Sequence, residues 1–283
     1  MYRYLIILFS LLLGGEGESA TLSFSAPLAI GRAVLLHVQD VPAGARLVGS
    51  LNGKPVPFSA EHRALLALDM EAKPGPVLLR VEVKPPQGKS ELLTHTFEVV
   101  ARSYQEEQLT LPKGKVELAP AAVSRAKEET AAIVATYQRR GGRVGYGEGF
   151  QLPVTGRYSG VFGSRRVLNG TPRRPHSGVD IAAPQGAPVV ATAPGEVALV
   201  GQDYFFTGNT LVLDHGDGVI SLYAHLERIM VESGRWVEAG TVIGTVGMTG
   251  RATGPHLHWG MMVRQDRVDP LLLPGLPQEG ASP

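Results

Sequence analysis

Eight histidines occur in the 283 residues, and five of them, His176, His215, His225, His256 and His258, fall between positions 176 and 258. Imidazole binds metals readily and exchanges protons near neutral pH, so such clustering points to metal or proton chemistry. In GPHLHWGMMV (254–263) the residues after Pro255 alternate as a strand. His256, His258, Gly260 and Met262 share one face, and Leu257, Trp259, Met261 and Val263 share the other. The apolar face belongs to a core, which leaves both imidazoles on the opposite face, ~6–7 Å apart along the strand. In VISLYAHL (219–226) the same rule places Ser221, Tyr223 and His225 on one face and Ile220, Leu222, Ala224 and Leu226 on the core side. In RPHSGVDIAAP, His176 and Asp180 stand four apart. A regular strand would separate them by ~13 Å. A bend at Ser177-Gly178 lets them converge if His176 lies in the entering loop.

Two histidines and one carboxylate with an open fourth position form a hydrolytic zinc site. Zinc lowers the pKa of a bound water to about 7 and polarises a carbonyl, which together provide for hydrolysis at neutral pH. The chain has no cysteine, so thiolate ligation and thiol catalysis are excluded. It also lacks HExxH, the helical zinc-peptidase arrangement.

The stretch from about Val161 to Pro270 resembles the lysostaphin-type zinc peptidases that cleave peptidoglycan. The resemblance is carried by FGSRR (162–166), HSGVDIAAPQGAPVVATAPGEV (176–197), GNTLVLDHGDG (208–218), YAHL (223–226), VESGRWVEAGTVIGTVGMTG (231–250), TGPHLHWG (253–260) and VDP (268–270). It implies one Zn2+ per chain, held by His176, Asp180 and His258. It also implies that His225 and His256 flank the metal-bound water as base or oxyanion stabiliser. The implied substrate is peptidoglycan, and the implied activity is that of a zinc metalloendopeptidase. The alternative within the family is a non-catalytic peptidoglycan-binding or amidase-activating relative. Such relatives typically lose ligands, whereas all five positions are filled here. His215, before the Gly216-Asp217-Gly218 turn, is read as structural. Tyr204, Asn209 and Tyr223 are candidate groove residues, and Arg165 or Arg166 a candidate contact for a substrate carboxylate.

The elements that must position these residues are mainly β. Residues 150–274 are β-prone and turn-rich, and the resemblance implies a C-terminal antiparallel β-sheet metallopeptidase domain, with 275–283 as a tail. Residues 21–101 show short alternating runs, notably Val77, Leu79, Val81 and Val83, and an Asn52-Gly53 hairpin signal. About six such strands suggest an N-terminal immunoglobulin-like β sandwich. Residues 102–149 read as a helical segment and Gly-rich linker. The helix spans Ala121 to Arg140, enters through Pro120, and carries Val123, Ile133, Val134 and Tyr137 on its apolar side. Five glycines follow among the nine residues 141–149.

Arg3 and the apolar run Leu5–Leu13, followed by small residues, make residues 1–20 a signal peptide. That run is shorter than the ~20 residues of a membrane span, so no integral span is expected after its removal and the protein is expected in the periplasm or envelope, or outside the cell. With a formal net charge of +1, no nucleic-acid partner is expected.

Overall fold

The computed structural model describes residues 19–109, 120–168, 170–172 and 174–276. The signal peptide expected over 1–20 lies outside the described residues except for Ser19 and Ala20, as does the tail beyond Leu276. The described chain is mainly β, in sheets antiparallel apart from one parallel strand pair, with one α-helix.

Two sheets form the N-terminal part. β1 (Thr21–Phe24), β2 (Ala33–Gln39) and β5 (Arg63–Ala67) make the first, in the order β1-β2-β5. β3 (Arg46–Leu51), β4 (Lys54–Val56), β6 (Gly75–Lys84) and β7 (Glu91–Val99) make the second, in the order β4-β3-β6-β7. Asn52 and Gly53, with φ of 46° and 80°, turn β3 into β4 in the doubly left-handed geometry that this pair favours. On β6, Val77, Leu79, Val81 and Val83 are all buried, while Arg80 on the other face is exposed. Each such side chain contributes roughly 2 kcal/mol of hydrophobic burial.

β2 and β5 differ from β6 in burying both faces. Val34, Leu36, Ala64 and Leu66 belong to the core between the two N-terminal sheets. Ala33, Leu65 and Ala67 face the other way, into the core of the C-terminal part. The unbroken apolar runs Ala33–Leu36 and Ala64–Leu68 are the sequence trace of this double burial. The contact is locked by Asp69, whose carboxylate accepts from Arg267 Nε at 2.9 Å and Nη2 at 2.6 Å. The Met70 amide also donates to the Arg267 carbonyl at 3.1 Å.

Next along the chain come β8 (Glu106–Leu109) and α1 (Pro120–Thr136). The remaining strands are β9 (Arg157–Gly160), β10 (Arg165–Leu168), β11 (Thr171–Pro172), β12 (Gly178–Ala182), β13 (Pro188–Val190) and β14 (Gly195–Tyr204). They continue as β15 (Gly208–Asp214), β16 (Val219–Ile229), β17 (Trp236–Val237), β18 (Val242–Val246), β19 (His256–Val263) and β20 (Asp266–Val268). The main sheet runs β17-β14-β15-β16-β19-β12-β9, with β18 and β20 paired to β16 and β19. Beside it, β8 joins β10 in parallel, making a small sheet with β11.

The helix ends at Thr136, earlier than the sequence suggests, and its packed side differs. Ala126, Ile133 and Thr136 are buried, whereas Val123 and Val134 are exposed. Ile133 packs on Val212, Ile220, Leu222 and Ala224 of the main sheet. Arg139, beyond the helix end, pairs with Glu196 at 2.7 Å and with buried Asp214 at 3.0 Å. The Gly-rich stretch after it is packed: Tyr146 is 1% exposed and donates to Asp217 at 3.0 Å.

Candidate metal centre

One face of the main sheet carries the histidines. Ala224 pairs with His258 and Ile220 with Met262 across β16 and β19, and Asp180 pairs with His258 across β12 and β19. Cross-strand partners share a face, so the site lies on the side of the sheet that α1 covers at one end. Leu257 and Trp259 point to the opposite, fully buried side, in keeping with the alternation of PHLHWG.

The alternation of VISLYAHL is placed the other way round. Tyr223 and Leu226 belong to the main core, while Ile220, Leu222 and Ala224 lie on the face of the site and helix. Tyr223 is fully buried, its hydroxyl accepting from the Thr192 amide at 3.0 Å and lying 3.1 Å from the Ser221 hydroxyl, so it is a core residue and not a groove residue. His225 still reaches the site, because its φ of 62° breaks the pleat between Ala224 and Leu226. Asn209 fastens this break: its Nδ2 donates to the carbonyls of Leu226 and Glu227, both at 3.0 Å. Asn209 is therefore scaffold as well.

His176 precedes β12, and Asp180 is the third residue of that strand. Gly178 between them is not in a left-handed conformation. What it supplies is space, since a Cβ there would lie 2.8 Å from the His258 ring and 2.4 Å from the Trp259 carbonyl. His176 Nε2 lies 3.1 Å from Asp180 Oδ1 and 2.9 Å from His258 Nδ1, and His258 Nδ1 lies 2.9 Å from the same Oδ1. The rings of His225 and His256 lie 4.6 Å apart between centroids, tilted by 46°, and His225 is 6.3 Å from His258.

Backbone carbonyls set the tautomers. Nδ1 of His176 donates to Val161 O at 3.1 Å, that of His225 to Thr249 O at 2.8 Å, and that of His256 to Gly254 O at 2.8 Å. In each neutral ring the lone pair is then on Nε2. These carbonyl partners were invisible in the sequence, because a main-chain acceptor leaves no mark on residue type.

Burial depresses the pKa of His225 to about 4, with the neighbouring His256 and His258 adding to the fall and the Thr249 carbonyl opposing it. Burial also lowers that of His258, against the pull of Asp180. For Asp180, burial acts to raise the pKa, but the adjoining His176 and His258 rings prevail and hold the carboxyl well below its ordinary range. Neutral imidazoles beside an ionised carboxylate are the donor set that zinc takes. A tetrahedral zinc with bonds of about 2.0–2.1 Å sets its ligand atoms ~3.3 Å apart, close to the triangle found here. Among the described residues, His176, Asp180 and His258 form the group whose ligand atoms all lie within 4.8 Å of one another, the proximity that a shared metal ion requires.

His215 stands apart from this cluster. It is fully buried, with Nδ1 donating to Pro194 O at 2.7 Å and Nε2 accepting from Ser221 at 2.7 Å. Tyr204 packs partly into the core beneath α1, and Arg165 faces Glu71 at 3.4 Å.

A sequence profile of Peptidase family M23 matches residues 174–270. The chain is 44% identical over 95 residues to the peptidoglycan DD-endopeptidase ShyB of Vibrio cholerae, a match covering 34% of this chain and 22% of that protein. It is 45% identical over 98 residues to the DD-carboxypeptidase/endopeptidase Mpg of Neisseria meningitidis, covering 35% and 22%. The chain thus matches about a fifth of the length of these curated relatives. A Pseudomonas aeruginosa crystal structure assigned to peptidase M23 aligns over 87% of this chain and 94% of that one, at 32% identity and a TM-score of 0.63. With that likeness running almost end to end, the chain belongs to peptidase family M23.

Proposed function

We propose that the protein is a zinc-dependent endopeptidase that hydrolyses peptide bonds in bacterial peptidoglycan. In this reading His176, Asp180 and His258 hold one zinc per chain. The observation that carries it is the convergence of two imidazole nitrogens and one carboxylate oxygen within 2.9–3.1 Å, beside two further imidazoles. When bound there, zinc supplies the Lewis acidity and water activation that hydrolysis of an amide requires.

The protein's own part is proton handling and orientation. His225 and His256 each present the lone pair of Nε2, because their Nδ1 protons are committed to carbonyls. One of them takes the proton of the attacking water, returns it to the leaving amine, or donates to the developing oxyanion. With the rings 4.6 Å apart, His256 adds to the burial-driven fall in the pKa of His225.

Residues 21–101 are read as an immunoglobulin-like sandwich and 150–274 as the peptidase domain, joined by 102–149. The shared core of the two N-terminal sheets supports the first assignment. An address in the periplasm or cell envelope fits the apolar leader run. Among the described residues no helix is long and apolar enough to cross a membrane.

The test is to measure zinc in the purified protein and digest defined muropeptides, reading the new termini by mass spectrometry. One zinc per chain and cleavage of stem or cross-link peptides, abolished by chelation and restored by zinc, are expected. Zinc-loaded protein that leaves every cross-linked dimer intact would overturn the reading.

A further inference from the structure

His176 lies outside every strand, and one turn holds it. Its amide donates to Ser164 O at 2.9 Å, its carbonyl accepts from the Gly163 amide at 2.8 Å, and its Nδ1 donates to Val161 O at 3.1 Å. The 161–164 turn therefore sets where the His176 ring points. What fixes the turn is the segment leading out of the N-terminal sheets. Tyr104 meets the Phe162 ring edge-on at 6.1 Å, and Phe162 is 1% exposed. Gly163 has φ of 81°, and a Cβ on it would lie 1.9 Å from the Tyr104 ring, so backbone rests directly on aromatic carbon. The Arg102 guanidinium sits 5.2 Å from the Tyr104 ring centre and 5.5 Å from that of Phe162, anchored to Asp269 at 2.5 Å. Beyond it, the Arg165 amide donates to Gln105 O at 2.8 Å, and β8 runs on beside β10. The turn is thus clamped between His176 on one side and Tyr104 on the other.

We propose that Tyr104, outside the stretch that matches the family profile, is a positioning residue that braces the 161–164 turn and so determines how tightly the site holds zinc. This rests on the ligand reading given under Proposed function. Among the described residues the Tyr104 hydroxyl has no hydrogen-bond partner, so the brace is the ring itself. Supporting contacts one step removed from a metal ligand are commonly worth about 10–100-fold in affinity.

The experiment compares zinc dissociation constants of full-length variants by chelator competition, alongside thermal unfolding. Tyr104→Ala is expected to weaken zinc about tenfold, and Tyr104→Phe to stay within about twofold of the parent. Asp69→Asn, which loosens the same two parts of the molecule elsewhere, should lower the melting temperature and leave zinc affinity unchanged. If Tyr104→Ala does not fold, Tyr104→Leu carries the test, with a loss of about threefold expected. Parental affinity in both truncated variants, while His176→Ala loses zinc, overturns the brace and leaves the ligand set standing. An equal loss in Asp69→Asn also overturns it, since general loosening then suffices. A parent protein that binds no zinc overturns the ligand reading, and the brace with it.

Discussion

The N-terminal sheets and the main C-terminal sheet are both built from short antiparallel strands, but they differ in the continuity of their register. β6 and β7 pair without interruption from Gly75↔Val99 to Val83↔Glu91, and β2 with β5 from Ala33↔Ala67 to His37↔Arg63. In the main sheet, register shifts between Asp180 and Ile181, between Asn209 and Leu211, and between Leu226 and Arg228. Those breaks fall on or beside Asp180 and His225, while further shifts, between Val189 and Val190, Val197 and Leu199, and Gly201 and Tyr204, lie elsewhere in the sheet. An unbroken strand can place side chains on one face only at steps of ~6–7 Å. Gathering a carboxylate and several imidazoles at one point needs a broken pleat, and bulges are where sheets re-aim side chains. The N-terminal sheets bring no such group together and keep their register whole.

Four substitutions or conditions can break or sharpen this contrast. The largest effect is expected at the broken-register site. His258→Ala, or its equivalent at His176 or Asp180, should abolish bound zinc and cut peptide hydrolysis by about three orders of magnitude or more. Metal analysis together with turnover of a soluble peptide checks both halves. Next, His225→Ala should retain zinc and slow turnover by about 10²–10⁴-fold, the usual value of a positioned proton-transfer group. Full loss of zinc in that variant would make His225 a ligand.

A third, smaller effect concerns the buried histidine that takes no part in the site. Burial holds the pKa of His215 at about 4, below the ordinary 6.5, with the Pro194 carbonyl only partly offsetting it. Between those values the unfolded chain binds a proton that the folded chain refuses. Stability is then full above pH 6.5 and declines as pH falls, by on the order of 3 kcal/mol at pH 4 and below. Urea midpoints at pH 7 and pH 4.5 test this, and His215→Gln should flatten the decline. The smallest effect is expected in the regular sheets. Gly53→Ala, at φ of 80° with nothing within 4 Å of the added carbon, should cost about 1–2 kcal/mol from backbone conformation alone and leave zinc affinity intact.

This contrast also explains which parts of the sequence could be read. β6 obeyed period two because one face is wet and its register is unbroken, and Asn52-Gly53 announced its turn because few residues tolerate that geometry. PHLHWG was legible for the same reason, since β19 keeps its pleat through both histidines. VISLYAHL was read on the wrong faces because two different apolar layers cover β16, one beneath the sheet and one beneath α1. Apolarity alone does not say which layer a residue joins. Gly141–Gly149 carried the composition of a flexible connector, yet Tyr146 within it is a core residue, which composition averages away. The HxxxD convergence depended on the carbonyls of a turn, and those leave no trace in side-chain identity.

The Asp69–Arg267 pair joins positions 198 residues apart. Closing a loop of that span from an unfolded chain costs on the order of 5 kcal/mol in chain entropy. The contact should therefore form after the main sheet has already drawn its ends together, as a late event in folding. Until then the outer faces of β2 and β5, with Ala33, Leu65 and Ala67, remain open to water or to a neighbouring chain. Arg267→Ala is accordingly expected to steepen escape from the native state while leaving the refolding rate nearly untouched, a shift confined to the unfolding arm of a chevron plot.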